Sequence, residues 1–189
     1  QRMYHPIVAS AAETGDLLDA RLRAGNAHTA EGAFDFILDL VDRAETALCQ
    51  IAMVRLDAGF PADTLLSGLE ARGTPYVARL RNNKVLDRMA APHLKRPRGR
   101  PPAEPRIWFH EMTYRARSWS RECRVVLVVL ERPGELLLDR FWLITSLDAA
   151  AMPAADLLAH YRQGGTAEGT MGELMDVLAP ALSSTPRAK

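Results

Sequence analysis

Hydrophobic and polar positions alternate along this chain with two periods, and the switches between them mark out its elements. His5–Ala12 and Asp16–Arg23 alternate as short strands around Thr14-Gly15, a hairpin-type turn. From Thr29, which suits an N-cap, through Thr46, the apolar residues Phe34, Ile37, Leu38, Val41 and Leu48 recur at helical spacing. Asp35, Asp39, Asp42 and Glu45 form the wet side of that helix. Within Ala47–Phe60, Leu48, Ile51, Met53, Val54 and Leu56 make an apolar run with a β-branched core, which predicts a buried strand ending at Asp57. Gly59 permits the turn that follows, and Pro61 suits the first position of a second helix. That helix, Pro61–Arg72, turns Leu65, Leu66 and Leu69 inward and stops at Gly73. Tyr76–Leu80 reads as a further strand.

The order strand, strand, helix, strand, helix, strand predicts an α/β layered domain with part of its sheet parallel. Asn82–Pro105 loses periodicity and fills with proline and basic residues, so it reads as a loop. A β-rich group follows. Trp108, Met112, Tyr114 and Ala116 alternate with Glu111, Thr113, Arg115 and Arg117, as in a half-buried strand. Arg124–Glu131 and Leu137–Ser146 read as two more strands joined by the turn Arg132-Pro133-Gly134-Glu135. Trp108, Trp119 and Trp142 fall on strands and suit the core or a sheet face. Pro153–Leu178 reads as a last helix, and Ser183 onward as a tail.

A chain of 189 residues with 48% hydrophobic and 25% charged residues suits one domain with a sizeable core. Cys49 and Cys123 lie in apolar, strand-like surroundings, suggest no disulfide framework, and fit a reducing cytoplasm. Charge closes Val125–Leu130 on both sides, so no stretch is long enough for a membrane span, and the start is not a signal peptide. The net charge of +1 hides an asymmetry. Glu13–Glu45 holds eight acids against three Lys or Arg, whereas Arg79–Arg100 holds eight Lys or Arg against one acid, Asp87. That basic density suits a polyanion, although a solvated loop is the usual origin of such a stretch. Within it, Lys95-Arg96-Pro-Arg98-Gly-Arg100-Pro-Pro102 resembles an AT-hook, whose arginines enter a narrow A·T minor groove.

Several chemistries are not supported. His110-Glu111-x-x-Tyr114 misses the zinc motif at its last position, and the remaining histidines show no ligand spacing. No Gly-x-Ser-x-Gly or phosphate-binding glycine loop occurs. Two acids stand out instead. Asp57 closes a strand at its carboxyl end, where open α/β sheets place functional groups, although Asp also starts turns and caps helices. Tyr161, Glu168 and Met175 share one helix face to within about 20°, together with Leu157, position 164 and Met171, so Glu168 points inward. An inward carboxylate is costly unless it is paired or binds a metal, and a nearby arginine or solvent would also satisfy it.

Arg55-Leu-Asp57-Ala-Gly-Phe60, followed downstream by Tyr161-x-x-Gly164-x-x-x-Glu168, resembles the DDE transposases of bacterial insertion sequences. More narrowly it resembles the group-1 DDE domains, whose glutamate stands in a Tyr, Arg, Glu, Lys motif. Tyr4-His5-Pro6, Leu22-Arg23-x-Gly25-Asn26 and Tyr76-Val-Ala-Arg-Leu-Arg-Asn-Asn83 resemble the flanking segments, so the likeness spans nearly the whole chain. It implies a ribonuclease-H-like mixed sheet with flanking helices, residues 1–81 and 151–179 forming the core, 82–150 a basic loop and β-rich insertion, and 180–189 a tail. It implies that Asp57 and Glu168 are the second and third of three metal-binding acids. Two carboxylates about 4 Å apart repel by about 4 kcal/mol at an effective dielectric near 20, so such a cluster needs divalent cations. Two Mg²⁺ or Mn²⁺ ions would then support DNA cleavage and strand transfer at the element's ends. Tyr161, Arg162, Lys95, Arg96, Arg98 and Arg100 are the expected DNA contacts, with double-stranded DNA as partner, a dimer on paired ends, and a cytoplasmic, nucleoid-associated location.

The chain departs from the family pattern in three places. The family's first aspartate precedes the Tyr-His-Pro segment, so the expectation is a fragment without that acid, inactive by itself. Gly164 stands at the arginine position and Met175 at the lysine position. A non-catalytic DNA-binding remnant is the alternative expectation, and a plain α/β domain with structural acids is a third.

Overall fold

The computed structural model describes residues 6–23, 32–99 and 102–163. The chain order begins with β1 (Ile7–Ser10), β2 (Leu17–Arg21), α1 (Ala33–Ala47), β3 (Val54–Leu56), α2 (Asp63–Ala71) and β4 (Tyr76–Leu80). It continues through α3 (Lys84–Ala90), a 3-10 turn (Ala91–His93), β5 (Arg106–Tyr114), β6 (Cys123–Glu131), β7 (Asp139–Thr145) and α4 (Ala154–Arg162). β1 and β2 pair antiparallel as a hairpin, turning at Gly15 with φ 77°. The other strands form one five-stranded sheet in the order β3-β4-β7-β6-β5. Only β3 and β4 run parallel, so the sheet is mixed and flanked by helices, in keeping with a ribonuclease-H-like fold.

Strand alternation divides the core between the two faces of this sheet. Leu56, Tyr76, Ala78, Val125, Leu127, Trp142 and Ile144 point to one face, where α1, α2 and α3 cover them with Val41, Leu65, Leu66, Leu69 and Leu86. Val77, Val126, Val128 and Leu143 point to the other, where α4 lays down Leu157 and Leu158. β6 is an interior strand of the sheet buried on both sides, and its Val125–Leu130 reads as an unbroken apolar run. The β1–β2 hairpin docks on α1 through Ile7, Ala33 and Phe36. Arg21 reinforces the contact, its guanidinium lying 5.1 Å from the centre of the Phe36 ring, and Asp19 pairs with Arg43. Among the described residues no helix is long and apolar enough to cross a membrane.

Several sequence-based expectations need correction. The segment expected as one loop from Asn82 contains α3, because the Asn83 side chain accepts hydrogen bonds from the Val85 and Leu86 amides and starts a helix that buries Leu86 and Ala90. The first long helix begins at Ala33 behind Gly32 rather than at a Thr29 cap, and Thr29 itself lies outside the described residues. Leu48, expected inward, is 72% exposed just past that helix. β3 is a three-residue edge strand, not a buried one. Pro61 precedes the second helix, which starts at Asp63. Ala116 lies beyond β5, and Trp119 packs from the β5–β6 connection instead of from a strand. Cys49 is exposed outside any strand, whereas Cys123 is buried at the start of β6.

Candidate functional site

Asp57 follows the last residue of β3, and the chain turns there. Its carbonyl accepts from the Phe60 amide at 3.1 Å, and its Oδ1 accepts from the Ala58 amide at 2.6 Å. The carboxylate is exposed at the carboxyl end of the strand. On the opposite side of this turn from α4 lies an open hollow of 290 Å³, walled by Gly59, Arg81, Asn83, Tyr114 and Trp119. Tyr114 and Trp119 meet edge to face there at 5.6 Å, and the Asn83 amide donates to the Tyr114 hydroxyl at 3.1 Å.

The end of α4 arrives next to Asp57. Arg55, two residues before it and on the α4 face of β3, donates to the His160 carbonyl at 3.0 Å. Tyr161 follows on α4 and packs its ring 6.4 Å from that of Phe141 on β7. Phe141 in turn lies under Arg79 of β4, whose guanidinium carbon is 5.0 Å from the ring centre. In the parallel register of β3 and β4 the last pair is Leu56↔Ala78, so Asp57 and Arg79 stand one step further on. Asp57, Arg79, Phe141 and Tyr161 therefore converge on one corner of the sheet. Arg79 and Phe141 were not singled out in the sequence. The signal for Arg79 was available, since it interrupts the otherwise buried strand β4 at a single exposed position.

The basic segment is built differently. Lys95 and Arg98 are exposed. Arg96 turns back onto the sheet, where it pairs with Glu131 at 3.3 Å and donates to the Glu135 carbonyl. Glu131 is only 5% exposed, so this arginine is fixed by a buried charge. Arg162 is exposed on the last turn of α4. Arg100, Gly164, Glu168 and Met175 lie outside the described residues.

The histidines that looked scattered in sequence include one close pair. His93, in the 3-10 turn, and His110, on β5, bring their ring centres to 4.1 Å. Burial, and then the neighbouring His93, hold His110 below its ordinary pKa. Among the described residues no group of three or more His, Cys, Asp or Glu is gathered as a metal site.

Comparison with known proteins bears on these positions. The family model of the transposase DDE domain, group 1, matches residues 1–185. No curated protein matches the chain.

Proposed function

Since the chain belongs to the group 1 DDE transposase domains, a family of DNA transposition, we propose that it acts by divalent-metal-dependent cleavage and strand transfer on double-stranded DNA, with Asp57 and Glu168 among its metal-binding acids. The observation that carries this reading is Asp57 itself. Its carboxylate is exposed at the end of a strand, beside the end of the helix whose sequence runs on to Glu168. The donor set fits the ion, because a carboxylate with one oxygen engaged by a single amide offers the hard oxygen that Mg²⁺ and Mn²⁺ prefer. When bound, such ions activate an attacking water or 3′-hydroxyl and stabilise the leaving oxygen.

The protein's own groups supply the rest. The Arg55–His160 bond ties β3, two residues before Asp57, to the end of α4. Tyr161 and Arg162 on α4, with Lys95, Arg98 and Arg100 in the basic segment, are the DNA contacts in this reading. Residues 1–81 and 151–179 form the catalytic core, and 82–150 adds strands β5 to β7 to the edge that β4 offers. The protein works as a dimer on paired element ends, in the cytoplasm at the nucleoid.

The test is Mn²⁺ binding by the full chain, followed by calorimetry. We expect the wild type to take up Mn²⁺, and Asp57→Ala and Glu168→Ala each to weaken it at least tenfold, since even groups behind the ligands are worth about 10–100-fold. Unchanged uptake in both variants would sink the assignment. The exposed Lys95 and Arg98 favour a second reading, a non-catalytic DNA-binding remnant. It predicts salt-sensitive duplex binding that Mn²⁺ and the acid variants leave untouched.

A further inference from the structure

Resting on that reading, we propose that Arg79 is the cation that holds a DNA phosphate beside Asp57, and that Phe141 is its positioning residue. The backbone register carries the argument. β3 and β4 run parallel with Leu56↔Ala78 as their last pair, so Asp57 and Arg79 each follow directly on that pair at the same end of adjacent strands. A scissile phosphate bound through a metal at Asp57 would therefore lie within reach of a long side chain at position 79.

Arg79 has the freedom and the support for that task. Every other residue of β4 is buried, and Arg79 alone is exposed. None of the ion pairs among the described residues uses it. Two other arginines of the sheet are held by carboxylates, Arg124 by both oxygens of Glu111 and Arg140 by Asp87, and Arg55 is engaged by the His160 carbonyl. An arginine that pairs with no carboxylate among the described residues, on the strand next to a candidate metal ligand, suits a phosphate, which its planar fork matches bidentately.

Its direction is also set. The guanidinium lies over the Phe141 ring at 5.0 Å, and that ring is backed by Tyr161. Stacking on an aromatic face restricts the side chain while leaving its N–H edge open to a ligand. The arrangement gives the site a cation from β4, whereas this chain carries glycine at position 164.

The experiment measures binding of a short labelled DNA duplex to the full chain across a salt series, alongside Mn²⁺ uptake. Arg79→Ala should weaken duplex binding about 10–100-fold, the range for one hydrogen-bonded charge. It should also make the dependence of log K on log salt less steep by about 0.9, the signature of one lost phosphate contact. Arg79→Lys should restore the slope and only part of the affinity, because an ammonium keeps the charge without the fork. Phe141→Leu should weaken binding with the slope intact, which separates positioning from contact. Mn²⁺ uptake should be unchanged in all three. Arg79→Ala with wild-type affinity and slope, in a protein that binds duplex and Mn²⁺, overturns this proposal and leaves the metal-site reading standing. A wild type that binds neither overturns both.

Discussion

Asp57 and Glu131 are carboxylates in opposite circumstances, and the difference decides what each is for. Asp57 stands in water at a strand end, so its charge needs no protein partner and is free for a ligand. Glu131 is the last residue of β6 and almost fully enclosed, and Arg96 is the cation that offsets its charge. A buried carboxylate without a partner is costly, so Arg96 is held by folding energy. Arg98, two residues on, is fully outside. Alanine at these two positions should therefore separate stability from binding. Arg96→Ala should lose about 2 kcal/mol of unfolding free energy, less than a fully buried pair because the guanidinium is partly wet. Arg98→Ala should stay within about 0.5 kcal/mol of wild type. Urea titration checks both, and equal effects would contradict the anchoring role of Glu131.

At the scale of elements, what the sequence made legible were segments in which local pattern and tertiary burial agree. Tyr76–Leu80 has the predicted boundaries, and α2 buries Leu65, Leu66 and Leu69 as its spacing requires before stopping at Gly73, where φ is 69°. β3 is shorter than its apolar run because it is an edge strand: Ile51 and Met53 pack from the approaching chain without pairing. α3 was hidden because the prolines and arginines that follow it dominate the composition of the window, whereas one asparagine decides the local structure. Arg79 and Phe141 come together only through the pairing of β4 with β7, a contact that no local window contains. Asp57 was legible since a strand end is a local feature, and its neighbours were not. The asparagine carries its own prediction. Asn83→Ala should cost about 1 kcal/mol as a lost cap. Further loss is expected because its amide also donates to the Tyr114 hydroxyl, tying the start of α3 to the end of β5. Asn83→Asp keeps the acceptor and loses the donor, so its stability should fall between the two. Chemical denaturation that ranks Asn83→Asp with or below Asn83→Ala would refute the division of labour.

At the scale of the whole molecule, strands β5 to β7 join the sheet through β4, and helices from both ends of the chain cover the result. The candidate corner at Asp57 and the basic segment are thus parts of one hydrogen-bonded frame, linked on one side by the Arg96–Glu131 pair and on another by the packing of α3 and its 3-10 turn against β5. The latter contact includes the adjacent, tilted rings of His93 and His110. It makes the frame sensitive to pH, with a sign fixed by the direction of the shift. Burial, and to a lesser degree His93, lower the pKa of His110 in the folded protein, so in the interval below the ordinary value of about 6.5 the unfolded chain binds more protons than the folded one. Stability contributed by the neutral ring is therefore present above that value and is lost as pH falls through the folded one. The pairing of Asp19 with Arg43 and of Asp42 with Arg72 lowers those carboxyl pKa values, which places their losses in the acid range, below the ordinary carboxylate values, and keeps them apart from the histidine's. Urea midpoints followed downward from neutral pH through the histidine range should decline in the wild type and decline less in His110→Gln. Parallel curves for the two proteins would mean that the ring pair does not couple protonation to folding.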